Sequence, residues 1–203
     1  IINEMQKENN GISLERFIDI CLYNSDGYYV SAKPIGKLGD FITAPEISQL
    51  FGEILALYIF HLWHEKLKNK FNLIELGPGN GTLLVDILRI TKSLSNFHNC
   101  LNLHLIEKNA YLIEKQKKKL YKNKFDNLNV IWHEDIAKID KKPSIIIANE
   151  FFDCLPIRQF QNIDNRWYEK IINFNKVKKS FFYQNLPVEE NKLLRKLSEY
   201  KDN

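Results

Sequence analysis

The amino-acid sequence predicts a Rossmann-like α/β fold, in which helices flank a central and mostly parallel sheet. Three observations predict it. An apolar run at 73–76 leads into glycines on alternate positions, and an amphipathic segment follows at 82–89. Strand-like and helix-like segments then alternate at least three times along the middle of the chain. The segment 143–150 has an unbroken apolar core, which is typical of a parallel strand buried on both faces.

Three glycines, Gly77, Gly79 and Gly81, form the turn between the first of these strands and its helix. Glycine lets the backbone turn sharply, and it lets a ligand approach more closely than a Cβ atom would permit. A helix that starts at Gly81 offers unpaired N–H groups and a partial positive charge. The order of strand, glycine turn and helix therefore predicts the ligand-binding corner of a doubly wound sheet.

Composition and charge narrow the class of protein. The 203 residues include 44% hydrophobic and 12% aromatic residues, which is ample for a sizeable core. No apolar run reaches the ~20 residues of a membrane-spanning helix. The net charge of +4 is mild, so we expect the lysines to serve solubility rather than nucleic-acid binding. Three dispersed cysteines and five histidines without ligand spacing indicate a reducing compartment and no metal site.

The N-terminal third of the chain is predicted to be mainly helical. Ser13 is placed to cap a first helix, residues 28–30 resemble a brief strand, and residues 44–68 resemble one long helix. We therefore expect an N-terminal helical cap at residues 1–69 and a ligand-binding domain at residues 70–203.

The long helix is preceded by a segment that could serve either structure or function. Thr43 and Glu46 have the spacing of a capping box, which would make them structural. Gly39 and Asp40 lie in a predicted loop and have no evident structural role. Binding residues often lie on exposed loops, so Gly39 and Asp40 are candidates to face a ligand. Glu46 is a third candidate.

Acidic and amide side chains follow each later strand. Glu107 ends the second strand, Asp135 follows the third, and Asn149 and Glu150 follow the fourth. The carboxyl ends of parallel strands meet at one edge of a sheet. We therefore expect these side chains, with Glu75 of the first strand, to surround one ligand crevice.

Other nucleotide-binding motifs match less well. Dinucleotide-binding folds use Gly-x-Gly-x-x-Gly, whereas the spacing here is Gly-x-Gly-x-Gly, and Gly-Lys-Ser/Thr is missing. No lysine or arginine lies near the glycines in sequence. The helix predicted after Asn109 carries the lysines 115, 117, 118 and 119, which we expect to form a solvated face. An NAD-dependent oxidoreductase, with Glu107 on the adenosine ribose, remains an alternative.

The pattern Glu75-x-Gly-x-Gly-x-Gly resembles motif I of the class I S-adenosylmethionine-dependent methyltransferases. The resemblance implies that S-adenosyl-L-methionine binds at the glycine turn. It also implies that Glu107 accepts hydrogen bonds from the ribose hydroxyls and Asp135 from the adenine amine, since a carboxylate only accepts. The cofactor-binding residues implied in this way are Glu75, Gly77, Pro78, Gly79, Asn80, Gly81, Thr82, Glu107, Asp135 and Asn149, with Gly39 and Asp40.

Three long motifs, at 39–53, 75–82 and 148–156, resemble the MidA-like family within that class. The family includes a mitochondrial complex I assembly factor that methylates an arginine of a complex I subunit. The resemblance therefore implies protein-arginine N-methylation and a protein substrate. The family commonly has arginine at the position of Asn80 and alanine at that of Cys154. Its members are considerably longer, so we expect this chain to be a fragment with an incomplete acceptor site.

An arginine acceptor would need carboxylates that hold its guanidinium by bidentate hydrogen bonds. Glu150 and Asp153 are the first candidates for this catalytic role, and Glu46 and Asp40 are next. Of the two aromatic residues between them, Phe151 and Phe152, we expect at least one to pack in the core.

Two further properties follow as expectations. A non-catalytic assembly factor that retains the methyltransferase fold is a second alternative function. We expect a bacterial cytoplasmic location, or the mitochondrial matrix for a eukaryotic source. The oligomeric state and the identity of the methyl acceptor stay open.

Overall fold

The computed structural model describes residues 2–5, 11–31 and 42–200 of the chain. Its helices are α1 (Ile2–Met5), α2 (Leu14–Tyr23), α3 (Tyr28–Ser31), α4 (Ala44–Ile47), α5 (Gln49–Leu62), α6 (Thr82–Thr91), α7 (Ser95–Cys100), α8 (Ala110–Lys122) and α9 (Asn191–Ser198). Its strands are β1 (Ile12–Ser13), β2 (Phe71–Leu76), β3 (Leu101–Ile106), β4 (Val130–His133), β5 (Ser144–Ile147), β6 (Phe160–Ile163), β7 (Arg166–Asn175) and β8 (Ser180–Pro187). A π-helical turn covers Trp63–Leu67, and 3₁₀ turns cover Ile136–Lys138 and Phe152–Cys154.

The chain separates into two compact units. One unit comprises Lys33–Asp153, and the other joins Ile1–Ala32 to Cys154–Asn203. This division differs from the expected one at residues 69 and 70. It differs because α5 packs on α6 inside the first unit, whereas β1 pairs with β7 near the other end of the sequence.

The first unit is built on a parallel sheet with the strand order β4-β3-β2-β5. Strand β2 lies inside the sheet, where Glu75 is opposite Leu105 of β3 on one side and Ile147 of β5 on the other. All six residues of β2 are buried. The predicted Rossmann-like parallel arrangement is therefore confirmed, and the carboxyl ends of these strands lie along one edge of the sheet.

The main hydrophobic core joins α5, α6 and α8 to this sheet. Its members include Ala56, Ile59, Leu73, Leu83, Ile87, Leu88, Leu105, Leu120 and Ile147. The contact between α5 and α6 is close at Gly52, where an added Cβ atom would lie 2.6 Å from Cβ of Asp86. Burial of these side chains supplies the main driving force that places α6 over β2.

Three predictions about single elements need correction. Strand β5 is not buried on both faces, because it pairs only with β2 among the described strands and Ile146 is 53% exposed. Residues 28–30 belong to helix α3 rather than to a strand. The long helix predicted at 44–68 is interrupted at Ser48, whose backbone is extended and whose Oγ accepts a hydrogen bond from the N–H of Leu50.

The second unit carries an antiparallel sheet in which β7 pairs with β1, β6 and β8. Strands β6 and β7 form a hairpin through Asp164 and Asn165, and both residues have positive φ. Helix α2 begins as predicted, because Oγ of Ser13 accepts a hydrogen bond from the N–H of Arg16 at 3.1 Å. Within the described ranges of both units, no helix has the length and apolar character of a membrane span.

Candidate cofactor-binding site

The turn between β2 and α6 has a backbone that favours glycine at three positions. Gly77, Gly79 and Gly81 have φ angles of +63°, +53° and +71°, which lie in the left-handed region. The N–H of Gly81 donates to the carbonyl of Pro78 at 2.8 Å, and α6 begins at the next residue, Thr82. The glycine pattern noted in the sequence is thus a requirement of this turn.

Phe151 closes one side of the glycine turn. A Cβ atom added to Gly77 would lie 2.6 Å from Cδ2 of Phe151, so the turn and this ring are in close contact. Phe151 packs against Ile74 and Leu76 in a small second core, as expected for at least one of the two phenylalanines. Its neighbour Phe152 is 65% exposed.

Glu75 is a buried carboxyl group beneath this turn. It is 4% exposed, and its Oε2 has no hydrogen-bond partner among the described residues. Burial raises the pKa of Glu75 to about 8, since the charged form loses its hydration. The carboxyl group can therefore hold a proton near neutral pH, or ionise when a cationic group reaches it.

Glu107 lies directly after β3 and accepts hydrogen bonds at both carboxylate oxygens. Its Oε1 accepts from the N–H of Asn109 at 2.9 Å, and its Oε2 accepts from Nε2 of Gln116 at 3.4 Å. Burial raises the pKa of Glu107, while these hydrogen bonds act in the opposite direction. Asn109 caps α8 as predicted, accepting from the N–H of Tyr111 and of Leu112.

Gln116 was not among the predicted site residues. It is 1% exposed on α8, and its Nε2 also donates to the carbonyl of Gly79 at 2.8 Å. Its Oε1 accepts from the indole N–H of Trp132 at 2.7 Å. A signal was present in the sequence, since Gln116 lies three residues after Ile113 and four before Leu120, on the apolar face of the helix.

The other predicted cofactor contacts follow the neighbouring strands. Asp135 comes after β4, is exposed, and caps a 3₁₀ turn by accepting from the N–H of Ala137 at 2.9 Å. Asn149 comes after β5 and is half-buried. Their strand-end positions agree with the sequence pattern, and their roles toward a cofactor stay predictions. Gly39 and Asp40 lie outside the described residues.

The side chain of Glu46, in α4, contacts the start of α6. Its Oε1 accepts hydrogen bonds from the hydroxyl of Thr82 and from Nδ2 of Asn80. Thr43 occupies the N-cap of α4, as its structural interpretation predicts, but it makes no side-chain cap hydrogen bond. The capping box of Thr43 and Glu46 is therefore not formed. The first unit thus brings Glu46 to the glycine turn, and its role toward a ligand stays a prediction.

Two lysines of α8 also reach the turn. Nζ of Lys115 donates to Oδ1 of Asn80 at 3.1 Å, and Nζ of Lys119 donates to the hydroxyl of Thr82 at 2.5 Å. Burial lowers the pKa of Lys119. The expectation of a purely solvated lysine face, with no lysine near the glycines, is therefore wrong for these two residues. Lys117 instead pairs with Glu114 at the surface.

The candidate acceptor-binding carboxylates lie after β5. Glu150 is exposed and has a φ of +48°, which is uncommon for a residue other than glycine. Asp153 is exposed within the 3₁₀ turn that follows. Within the described part of the chain, no three His, Cys, Asp or Glu side chains are grouped so that they could hold a metal ion.

A sequence profile of the family described as "Putative S-adenosyl-L-methionine-dependent methyltransferase" matches residues 54–203. The chain belongs to this family. The match includes the glycine turn, Glu107 and Gln116, and it begins within helix α5.

Similar curated proteins carry an arginine methyltransferase name. Protein arginine methyltransferase NDUFAF7, mitochondrial, from Bos taurus is 36% identical over 190 residues, which is 83% of this chain and 43% of that protein. The homologue from Caenorhabditis elegans is 36% identical over 171 residues, or 74% of this chain and 39% of that protein. The chain thus spans less than half the length of these relatives.

Similar solved structures share the fold. A COG1565 superfamily member from Burkholderia thailandensis, bound to S-adenosyl-homocysteine, has a TM-score of 0.77 and 21% sequence identity. The match covers 100% of this chain and 52% of that one. A native structure of a COG1565 superfamily protein from the same organism has a TM-score of 0.74 at 21% identity, covering 50% of its chain. The predicted Rossmann-like methyltransferase fold is confirmed.

The substitution Glu75→Gln is expected to flatten the dependence of stability on pH. Folding raises the pKa of Glu75 from 4.5 to about 8, so the wild type should lose stability as pH rises through that interval and the buried carboxyl ionises. Urea unfolding at pH 5.5 and 8.5 measures the effect. We expect the wild type to lose about 3 kcal/mol more than the variant.

A matched control is Glu134→Gln, which changes an exposed glutamate of the same unit. It should lose as much stability over this pH range as the wild type. If Glu75→Gln lost as much stability between pH 5.5 and 8.5 as the wild type and Glu134→Gln, the buried and unpaired state of Glu75 would be contradicted.

Proposed function

We propose that this chain binds S-adenosylmethionine at the glycine turn and forms part of an enzyme that methylates protein arginine. The observation that carries the proposal is the family match over a turn with three left-handed glycines, flanked by the carboxylate of Glu107. The arginine acceptor is supported by the names of the curated relatives. Because the chain spans under half of their length, the activity belongs to the whole protein.

The residues around the turn suit this cofactor chemically. Glu107 and Asp135 carry acceptors for the ribose hydroxyls and the adenine amine. The buried Oε2 of Glu75 has no partner among the described residues, so a ligand ammonium group would relieve an unpaired acceptor. When bound, the cofactor supplies an electrophilic methyl group. The side chains of this chain bind, orient and exclude water, which are the main contributions that such a displacement needs.

Glu150 and Asp153 are the proposed contacts for the arginine acceptor. Two carboxylates can accept bidentate hydrogen bonds from a guanidinium group and localise its charge. The left-handed backbone of Glu150 adds support, because strained conformations cluster at functional sites. Glu46 is a weaker catalytic candidate, since its contacts with Thr82 and Asn80 favour a role in positioning the turn.

The partner and the compartment follow from the same resemblance. A protein arginine implies a protein substrate, and the MidA-like motifs favour a subunit of respiratory complex I. The curated relatives are named mitochondrial. We propose the mitochondrial matrix for a eukaryotic source of this chain and the bacterial cytoplasm otherwise.

One observation bears on the oxidoreductase alternative. Lys115 and Lys119 lie beside the glycine turn, where cations could attract a diphosphate. Lys115, however, donates a hydrogen bond to Asn80, and Lys119 donates one to Thr82. Glu46 also places a negative charge beside Lys119. Together with the family match, these contacts favour S-adenosylmethionine over NAD.

Calorimetry with S-adenosylhomocysteine tests the cofactor assignment. The wild type should bind it and should not bind NAD, and Glu107→Gln should weaken binding at least about tenfold because a charged acceptor is lost. The control Glu134→Gln should bind like the wild type. Unchanged affinity in Glu107→Gln, or tighter binding of NAD, would contradict the assignment.

Transfer of radiolabelled methyl groups to candidate protein substrates tests the acceptor contacts. Glu150→Gln should retain S-adenosylhomocysteine binding but lose transfer by about a hundredfold, since the guanidinium loses a carboxylate partner. Exposed Glu189 offers the control Glu189→Gln, which should keep transfer. Transfer retained in Glu150→Gln removes that residue from the role. Cofactor binding without any transfer would favour the non-catalytic assembly factor.

A further inference from the structure

Three parts of the candidate site meet at one buried amide. Nε2 of Gln116 donates to the carbonyl of Gly79 in the glycine turn and to Oε2 of Glu107 after β3. Oε1 of Gln116 accepts from the indole N–H of Trp132 in β4. Gln116 itself lies on helix α8, and its side chain connects the glycine turn, the end of β3 and strand β4.

The chemistry of this position requires an amide. The carbonyl of Gly79 and the carboxylate of Glu107 need a donor, while the indole N–H of Trp132 needs an acceptor. Glutamine supplies both from one side chain, whereas glutamate would supply acceptors only and an aliphatic side chain neither. The space is also tight, because a Cβ atom at Gly81 would lie 3.2 Å from Cγ of Gln116.

We propose that Gln116 is a positioning residue for cofactor binding, which fixes Glu107 relative to the glycine turn through its side-chain amide. The proposal rests on the function proposed above. The other oxygen of Glu107 accepts from the N–H of Asn109, so donors at both oxygens fix the plane of the carboxylate. A ligand that spans the turn and Glu107 then meets acceptors already in place, and it avoids the cost of ordering them on binding.

Gln116 also affects the charge of Glu107. Burial raises the pKa of this carboxyl group, and the hydrogen bonds from Asn109, Gln116 and the N–H of Lys108 lower it. All of these contributions come from burial and neutral donors rather than from a charged side chain. Loss of the Gln116 donor should therefore raise the pKa of Glu107. Glu107 would then become protonated, and ligand binding would weaken, at a higher pH than in the wild type.

The test compares Gln116→Met and Gln116→Glu with the wild type. Gln116→Met keeps a similar volume without donor or acceptor strength, and Gln116→Glu keeps the acceptor for Trp132 alone. Calorimetry measures the affinity for S-adenosylhomocysteine from pH 5 to 9, and circular dichroism confirms that each variant is folded. The control Gln161→Glu changes an exposed glutamine of β6.

We expect both Gln116 variants to bind at least about tenfold more weakly at pH 7, because one hydrogen bond to a charged group is lost. The midpoint of the acid loss of binding should move to higher pH in both. The control should match the wild type in affinity and midpoint. If Gln116→Met does not fold, Trp132→Phe removes only the donor to Oε1 and should give a smaller change in the same direction.

Each other outcome has a distinct meaning. A wild type that does not bind S-adenosylhomocysteine overturns the proposed function itself. Normal wild-type binding with unchanged affinity in the variants overturns the role of Gln116. Weaker binding with an unchanged pH midpoint also overturns the role of Gln116. That result would indicate a general loss of structure rather than an effect on Glu107.

Discussion

The left-handed backbone at Gly77, Gly79 and Gly81 is the constraint on which the rest of the site depends. It turns the chain from the central strand β2 into α6 within five residues, and a side chain at these positions would be strained. Because β2 lies between β3 and β5, the same turn brings the ends of the neighbouring strands into one region. The fold therefore places Glu107, Asp135 and Asn149 directly after strands of one sheet.

Buried polar contacts hold this turn in place. Gln116 supports it through the carbonyl of Gly79, and Glu46 meets it through Thr82 and Asn80. Glu75 is different, since its Oε2 lacks a partner among the described residues. A polar group left in this state costs stability, and carboxyl groups with a perturbed pKa cluster at functional sites.

The parts of this structure that local patterns determine were predictable. The glycine turn, the caps at Ser13 and Asn109 and the parallel strands follow from residue types and periodicity, and they were confirmed. Features that depend on tertiary neighbours were not predictable from the sequence. The apolar pattern of β5 does not reveal that this strand pairs only with β2 among the described strands. The spacing of Lys115 and Lys119 does not reveal that α8 runs beside the turn. Gln116 was missed because a polar residue on an apolar helix face shows its partners only after folding.

A crystal structure of the chain with S-adenosylhomocysteine would test the central claim most directly. The account predicts the amino-acid part of the ligand against the backbone of Gly77–Gly81 and the ribose hydroxyls within hydrogen-bond distance of Glu107. Electron density for the ligand elsewhere, or a glycine turn that remains closed by side chains in crystals saturated with it, would contradict the account.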